Sequence, residues 1–218
     1  HTRCLSDWSS DVCSSDLPVL KSDLTSEEIR SIIPSKMFLK QKYTPSGELD
    51  KLKSRLVSGG HRQNKADYSK SETSSPTASM VSLYLVIALA LFLRALPVTS
   101  DIPGAYINAL MKRKVLMRLS ACLTAILVIL DPSLKRFVNK DGTMIVRLAR
   151  ALYGCIESGK LWNDDITKTL SSLGFRRSRK DPCLFFKGTG LDIFLILLCV
   201  DDLLLVCRNK PLRKATID

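Results

Sequence analysis

Residues 191–207 form an almost wholly apolar run that two adjacent acids, Asp201 and Asp202, interrupt. Such a run is expected to be buried, but burying an ionised carboxylate is costly and adjacent like charges add repulsion. Folding alone therefore does not favour this pair, and a positive partner is expected beside it. Mg²⁺ is the natural candidate, because it takes oxygen ligands from one or two carboxylates and completes its shell with water and phosphates.

The composition is typical of a globular protein that binds a polyanion. Hydrophobic residues make up 45% of the 218 residues, which is enough for one large core or two small ones. The formal net charge is +12, from 33 Lys and Arg against 21 Asp and Glu. This charge favours nucleic acid as the partner, and a merely basic soluble protein is the alternative.

The histidines, cysteines and apolar runs argue against several protein classes. Only His1 and His61 are present, so neither a histidine-based zinc site nor a Ser-His-Asp triad is expected. The seven cysteines are odd in number and lack C-x-x-C spacing, which favours a reducing, intracellular compartment over secretion. The runs at residues 84–93 and 121–130 are each roughly half a bilayer span, and we expect no membrane segment.

Residues 7–17 match, codon by codon, one reading frame of a common sequencing-adapter oligonucleotide. We therefore interpret residues 1–17 as a translated adapter, expect them to be disordered and exclude them from the fold. The alternative is a natural Ser/Asp-rich disordered N-terminus.

The next segment is predicted to be a short helix followed by a basic hairpin. Thr25 supplies an N-cap hydroxyl, and acids follow in the first turn. Strands at residues 37–43 and 52–57 flank a turn signal at residues 44–47. The cations of this region are Lys40, Lys42, Lys51, Lys53, Arg55, His61 and Arg62. They form either an ordinary solvated face or an arm that contacts phosphate.

Helices and separated strands alternate along the rest of the chain, which is typical of an α+β layer architecture. The predicted elements are a buried helix within residues 77–96 ended by Pro97, a short strand at residues 98–102 that ends near Asp101, a helix within residues 151–173 ended by Gly174, and strands within residues 184–206 that turn at Asp201 and Asp202.

Asp101 strengthens the prediction of a metal site. It is a further acid at the end of an apolar strand, about a hundred residues before Asp201. Three carboxylates that converge from two strands could hold two metal ions, which would activate a primer 3′-hydroxyl and stabilise the leaving pyrophosphate. The pattern therefore favours nucleotidyl transfer.

Short sequence blocks along the chain point to one family. They lie at residues 33–36 (IPSK), 53–63 (KSRLVSGGHRQ), 75–77 (SPT), 101–109 (DIPGAYINA), 147–154 (RLARALYG) and 199–202 (CVDD). Their order and spacing resemble the reverse transcriptase of Ty1/copia-type retrotransposons. The chain departs from that pattern at Glu157-Ser158-Gly159-Lys160, where many members carry Gln-Ala-Pro-Arg, and at Cys199, where they carry an aromatic residue.

The resemblance implies a set of metal ligands and partners. By position, Asp101, Asp201 and Asp202 correspond to the metal-binding catalytic acids, with the Ile102 carbonyl as an extra ligand. The implied cofactor is a pair of Mg²⁺ ions, with Mn²⁺ as a substitute. The implied partners are an RNA or DNA template-primer and a dNTP, and the oligomeric state stays open.

The resemblance also implies nucleotide contacts outside the metal site. Tyr106 falls where the family has an aromatic gate that excludes a ribose 2′-hydroxyl by its bulk, and an ordinary core tyrosine is the alternative. Lys53 and Arg55 lie in the family's fingers hairpin and are candidates for the incoming triphosphate. Which of the two makes the contact stays open.

The implied fold is a right-hand polymerase fragment, with fingers and a ferredoxin-like or RRM-like palm whose antiparallel sheet packs on helices. The fingers would comprise residues 18–76 and 115–150, and the palm residues 77–114 and 151–218. Because the chain stops at Asp218, we expect the thumb and ribonuclease H domain to be absent and the isolated chain to be inactive. The alternative is a degenerate remnant that binds nucleic acid without catalysis. Such an element is expected to copy itself in cytoplasmic particles before its DNA reaches the nucleus.

Overall fold

The computed structural model describes residues 16–209, 211 and 212, and the chain divides into two compact units. The first comprises the described residues up to Thr73 together with Tyr106–Leu161. The second comprises Ser74–Ala105 together with the described residues from Trp162 onward. Each unit is therefore built from two separate stretches of chain. The sequence-based segments change at residues 77, 115 and 151, whereas the units change at residues 74, 106 and 162.

The secondary structure of the described residues consists of strands, α-helices and 3₁₀ helices. The strands are β1 Leu17–Val19, β2 Ile33–Tyr43, β3 Leu49–Ser58, β4 Val98–Asp101, β5 Leu116–Leu119, β6 Met144–Arg147, β7 Arg176–Arg177, β8 Leu184–Lys187, β9 Phe194–Cys199 and β10 Asp202–Val206. The α-helices are α1 Ser26–Ser31, α2 Lys70–Thr73, α3 Met80–Phe92, α4 Ala105–Asn108, α5 Ala121–Leu130 and α6 Ser158–Ser172. Short 3₁₀ helices lie at Lys21–Asp23, Gly60–Arg62, Lys65–Asp67, Pro132–Phe137 and Gly190–Asp192.

The sheet of the first unit has the strand order β1-β6-β5-β2-β3. Neighbouring strands are antiparallel except β2 and β5, which run parallel. One face of this sheet packs against α5. The core there contains Ile33, Met117 and Met144 from three strands and Leu123 and Leu127 from the helix.

Strand β1 begins at Leu17, within the segment of residues 1–17 that we expected to be disordered. Leu17 pairs with Arg147 of β6, and the Asp16 carboxylate accepts a hydrogen bond from the Ala149 N–H at 3.1 Å. Burial raises the pKa of Asp16 to about 6. The expectation of disorder is therefore wrong for Asp16 and Leu17, because the backbone of the β6 region supplies their partners. The rest of that prediction, residues 1–15, lies outside the described residues.

Two other predictions for the first unit are confirmed. Thr25 caps α1, and the side chains of Thr25 and Glu28 each accept a hydrogen bond from the other's backbone N–H. The basic hairpin consists of β2 and β3, joined by a turn in which Gly47 has a φ of +85°. From Ser35 onward β2 pairs with β3 alone among the described strands, so the hairpin continues as a two-stranded ribbon.

The sheet of the second unit is antiparallel throughout, in the order β4-β10-β9-β8-β7. Its central strand, β9, is buried from residue 194 to residue 198. Leu197 lies in one apolar cluster with Val86 of α3, and Phe194 meets the Phe175 ring edge-on at 5.1 Å. The apolar C-terminal run is therefore a hairpin of β9 and β10, as predicted.

The two predicted helices α3 and α6 are both present, and α6 contributes its residues from Trp162 onward to this unit. The end of α6 is as predicted, because Gly174 adopts a φ of +85°. The end of α3 is different. Arg94 has a φ of +49°, and the Ala95 N–H bonds back to the Ala90 carbonyl at 2.9 Å. This Schellman-type ending stops the helix before Pro97, so the prediction that Pro97 ends it is wrong.

The chain thus has a mixed α+β fold with two separate sheets and several helices, as the sequence predicts. The first strand of the second unit, β4, ends at Asp101, where the sequence predicts the end of a short strand. In the part of the chain that the structure describes, every helix is too short or too polar to span a bilayer.

Candidate functional site

Strand pairing brings two of the three predicted metal-binding acids side by side. Asp101 is the last residue of β4, Asp202 is the first residue of β10, and the two are direct partners in the antiparallel register. Directly opposed residues of such a pair share one face, with their Cβ atoms about 4.5–5.5 Å apart. Acids that lie about a hundred residues apart in sequence therefore present their carboxylates together at one end of the sheet.

The third acid, Asp201, lies in the turn between β9 and β10. The preceding residue, Val200, has a φ of +60°, which is rare for a β-branched residue. Two hydrogen bonds hold this turn. The Ile102 N–H donates to the Asp201 carbonyl at 2.9 Å, and the Trp162 indole N–H donates to the Val200 carbonyl at 2.6 Å. Ile102, whose carbonyl is a predicted metal ligand, is therefore tied to the turn through its own N–H.

The carboxylates of Asp101, Asp201 and Asp202 are exposed. Within the described residues, none of them has a hydrogen-bond or ion-pair partner. The same residues contain no group of three or more His, Cys, Asp and Glu side chains that could hold a metal ion, so the convergence of three carboxylates stays a prediction. The donor chemistry fits Mg²⁺, which commonly takes one or two protein carboxylates and fills its remaining positions with water and phosphate oxygens.

The predicted triphosphate ligands, Lys53 and Arg55, lie in the first unit on one face of β3. Lys53 is paired directly with Lys40 of β2, and Lys51 is paired with Lys42. All five side chains are exposed. Like charges directly opposite one another destabilise a sheet. This cationic face is therefore unfavourable for folding unless anions lie close to it.

Tyr106, the predicted steric gate, lies in α4 and is half-buried. Its ring meets that of Tyr153 edge-on, with the ring centroids 5.6 Å apart. It also packs against the small cluster of Ala109, Ala151 and Leu161. This packing is that of an ordinary core tyrosine, and the role in sugar discrimination stays a prediction.

Glu157 is buried. It stands at the position where many members of the family that the sequence blocks resemble carry glutamine. Its side chain is 5% exposed, and its Oε1 atom has no hydrogen-bond partner in the described part of the chain. Arg113 Nε lies 3.9 Å from the other carboxylate oxygen, Oε2. Burial raises the pKa of Glu157, and the positive charge of Arg113 opposes this shift.

The comparisons with known proteins cover most of the chain. The family model described as reverse transcriptase (RNA-dependent DNA polymerase) matches residues 25–215. The chain belongs to the reverse transcriptase family.

Relatives of this reverse transcriptase family member include Pol polyproteins of Ty1/copia-type retrotransposons, as the sequence blocks indicate. They include the retrovirus-related Pol polyproteins from transposons RE2 and RE1 of Arabidopsis thaliana, each 28% identical over 191 residues. The Pol polyprotein from transposon TNT 1-94 of Nicotiana tabacum is 27% identical over 167 residues. The alignments cover 86%, 86% and 76% of this chain but only 12%, 12% and 11% of those proteins.

Sequence reasoning missed one residue that contacts this candidate site, Trp162. Ile166 and Leu170 follow it at helical spacing, which predicts that Trp162 lies on the buried face of α6. A buried indole N–H needs a hydrogen-bond acceptor. The sequence therefore predicts that the Trp162 indole N–H has a buried hydrogen-bond acceptor. Only the structure identifies that acceptor as the Val200 carbonyl.

Proposed function

We propose that this chain carries the nucleotidyl-transfer site of a retrotransposon RNA-directed DNA polymerase, which adds dNTPs to a primer 3′-hydroxyl on an RNA or DNA template. The observation that carries the proposal is the register that sets Asp101 opposite Asp202, beside the turn that contains Asp201. Three exposed acids at one end of a sheet repel one another and gain nothing for folding. Their arrangement is useful for binding cations.

In this proposal Asp101, Asp201 and Asp202 hold two Mg²⁺ ions, or Mn²⁺ in their place, and the Ile102 carbonyl is a further ligand. Bound divalent ions at such a site activate the attacking hydroxyl and stabilise the leaving pyrophosphate. The chain itself orients the carboxylates. The hydrogen bond from the Ile102 N–H to the Asp201 carbonyl links the two segments that carry the acids, and strand pairing sets Asp101 against Asp202.

The cationic face of the hairpin supports a role in binding phosphate. Lys53 and Arg55 would contact the triphosphate of the dNTP, and their neighbours Lys40, Lys42 and Lys51 would neutralise the template-primer backbone. The cross-strand lysine pairs are unfavourable in the free protein, and a polyanion relieves that repulsion. Tyr106 would exclude nucleotides with a ribose 2′-hydroxyl by its bulk.

We further assign the first unit to the fingers and the second unit to the palm of a right-hand polymerase. The support for this assignment is that the first unit carries the basic hairpin and the second carries the acids. The chain spans 12% of the length of the RE2 polyprotein, and we propose that more polypeptide is needed for efficient extension. Synthesis in cytoplasmic particles, with a DNA product destined for the nucleus, belongs to the same proposal.

Primer extension on an RNA template with Mg²⁺ tests this function. It is measured for this chain and for the chain continued through the downstream part of its gene. Asp202→Asn is expected to lower incorporation on the order of 10³-fold, because it removes one of the two opposed carboxylates. The matched control is Asp192→Asn, which makes the same charge change at an exposed residue just before β9 and leaves incorporation unchanged. Incorporation that survives Asp202→Asn rules out the assignment.

A second candidate function is nucleic-acid binding without catalysis. The observation that favours it is the burial of Glu157 beside Arg113, at a position where many family members carry glutamine. A buried, ion-paired carboxylate is poorly suited to contact a nucleotide. Salt-dependent binding of a primer-template, with no incorporation by either form of the protein, would favour this second function.

A further inference from the structure

The turn between β9 and β10 has a strained backbone. Val200 has a φ of +60°, in the left-handed region that a β-branched residue rarely adopts. In the described part of the chain, the other non-glycine residue with a positive φ is Arg94, which ends α3 in a conformation common at helix ends. Val200 ends no helix, so the contacts of the turn itself must hold it in this conformation.

Trp162 makes the contact that can do so. Its indole N–H donates to the Val200 carbonyl at 2.6 Å, and the residue is only 4% exposed. A return of Val200 to an ordinary backbone conformation would redirect this carbonyl and leave a buried N–H without an acceptor. The unfavourable backbone conformation and the indole hydrogen bond are therefore coupled, since relaxing the first would break the second.

A second hydrogen bond completes the restraint on Asp201. The Val200 carbonyl belongs to the peptide group before Asp201, and the Asp201 carbonyl, which accepts from the Ile102 N–H at 2.9 Å, belongs to the peptide group after it. Both peptide planes that flank the Asp201 Cα atom are thus held by hydrogen bonds. Holding these two planes sets the direction in which the Asp201 side chain leaves the backbone.

We infer that Trp162 is a positioning residue that holds the β9–β10 turn so that Asp201 and Asp202 are presented to a shared divalent cation. The metal-binding part of this inference rests on the proposed function, whereas the restraint of the turn by Trp162 does not. Trp162 acts through the Val200 carbonyl and touches neither metal nor nucleotide.

The test compares two substitutions on α6. Trp162→Phe keeps an aromatic ring and removes the indole donor, whereas Leu170→Ala removes a buried side chain of the same helix and leaves the turn untouched. The first measurement is amide hydrogen exchange of Ile102 relative to the core amide of Ile196, in metal-free protein. The second is the affinity for Mn²⁺ alone, measured by titration calorimetry.

Trp162→Phe is expected to speed relative exchange at Ile102 by about fivefold to tenfold and to weaken Mn²⁺ binding by a similar factor, because one buried hydrogen bond is removed. Leu170→Ala is expected to lower the thermal midpoint while changing neither quantity. Replacing Trp162 with β-(3-benzothienyl)alanine, which has sulfur in place of the N–H in a ring system of the same shape, is expected to reproduce the effect of Trp162→Phe without a packing change.

The outcomes separate the inference from the proposed function. The inference is overturned if both Trp162 variants leave relative Ile102 exchange and Mn²⁺ affinity no different from Leu170→Ala. If the unaltered chain does not bind Mn²⁺, but both Trp162 variants still accelerate exchange at Ile102, the proposed metal site is wrong and the restraint of the turn by Trp162 is supported.

Discussion

The sheet of the second unit and the basic hairpin of the first unit present opposite charges from different kinds of scaffold. Asp101 and Asp202 stand at the end of a five-stranded sheet whose central strand is buried at residues 194–198. Lys53 and Arg55 stand on a two-stranded ribbon whose side chains are mostly exposed. The proposed metal site needs ligands held within about 0.5 Å, which a packed sheet can provide. The proposed phosphate contact, made through long, flexible cationic side chains, tolerates a much looser support.

The largest expected difference between the two scaffolds is their sensitivity to loss of an apolar side chain. Phe194→Ala removes a ring that is 1% exposed and should lower the free energy of unfolding by about 3–5 kcal/mol. Leu39→Ala, on the ribbon, removes a side chain that is 70% exposed and should change it by less than about 0.5 kcal/mol. Urea unfolding followed by circular dichroism measures both values. Equal losses would show that the ribbon is as tightly packed as the sheet.

The next effect concerns the cations of the ribbon. Replacing both Lys53 and Arg55 with Gln should weaken binding of a duplex primer-template and reduce the slope of log affinity against log salt by about 0.9 for every phosphate that is no longer neutralised. At about 0.1 M salt this corresponds to a weakening on the order of 10-fold to 100-fold. Fluorescence anisotropy across a salt series gives both quantities.

The matched control for the ribbon removes two exposed lysines elsewhere in the first unit, through Lys65→Gln and Lys70→Gln. This pair makes the same change in net charge away from β2 and β3. If it lowers the salt slope as much as the Lys53 and Arg55 pair does, the binding reflects overall charge rather than the hairpin.

The smallest expected effects are changes in stability at two buried carboxylates, one in each unit. In the second unit, Asp181 accepts hydrogen bonds from the Ser79 N–H at 3.0 Å and the Cys183 N–H at 2.8 Å. Burial alone would raise the pKa of Asp181, but hydrogen bonds from Ser82, Cys183 and Ser79 hold it below its ordinary value. In the first unit, Glu157 has an oxygen without a partner among the described residues, and burial raises its pKa.

Substitution by the amide should therefore act in opposite directions at the two sites. Asp181→Asn turns one acceptor into a donor that faces a backbone N–H, and should destabilise the protein by about 1–3 kcal/mol at pH 7. Glu157→Gln removes a carboxylate that is unfavourable when ionised, and should stabilise the protein at pH 7 by about 1 kcal/mol. Thermal unfolding of both variants, at several pH values, measures these changes.

The pH dependence of the free energy of unfolding gives an independent check on the sign of each stability change. The contribution of Asp181 to the free energy of unfolding is present above its ordinary pKa of 3.8. It is lost as the pH falls through the lowered pKa that Asp181 has in the folded state. The contribution of Glu157 to the free energy of unfolding is present below its ordinary pKa of 4.5. It is lost as the pH rises through the raised pKa that Glu157 has in the folded state. The stabilisation by Glu157→Gln should therefore shrink as the pH falls toward 4.5. A stabilisation that does not change with pH would contradict the role given to Glu157 burial.

Much of the local structure could be predicted from the sequence, because its signals act over a few residues. The cap at Thr25, the turn at Gly47 and the helix stop at Gly174 were all predicted, and each depends on hydrogen bonds or backbone freedom within one turn of chain. The end of α3 was predicted at Pro97 because proline is a strong signal. The helix ends earlier, because Arg94 adopts the left-handed conformation that the sequence pattern assigns to glycine.

Residue types and spacing were enough to single out candidate residues in this reverse transcriptase family member, since the apolar run around Asp201 and Asp202 and the order of the short blocks are visible in the sequence alone. Which residues lie next to one another depends on the tertiary structure. The pairing of Asp101 with Asp202, the bond from Trp162 to Val200 and the burial of Glu157 all join residues that are distant in the chain or depend on their surroundings. Strand register and burial result from packing many apolar side chains at once, so no local sequence pattern specifies them.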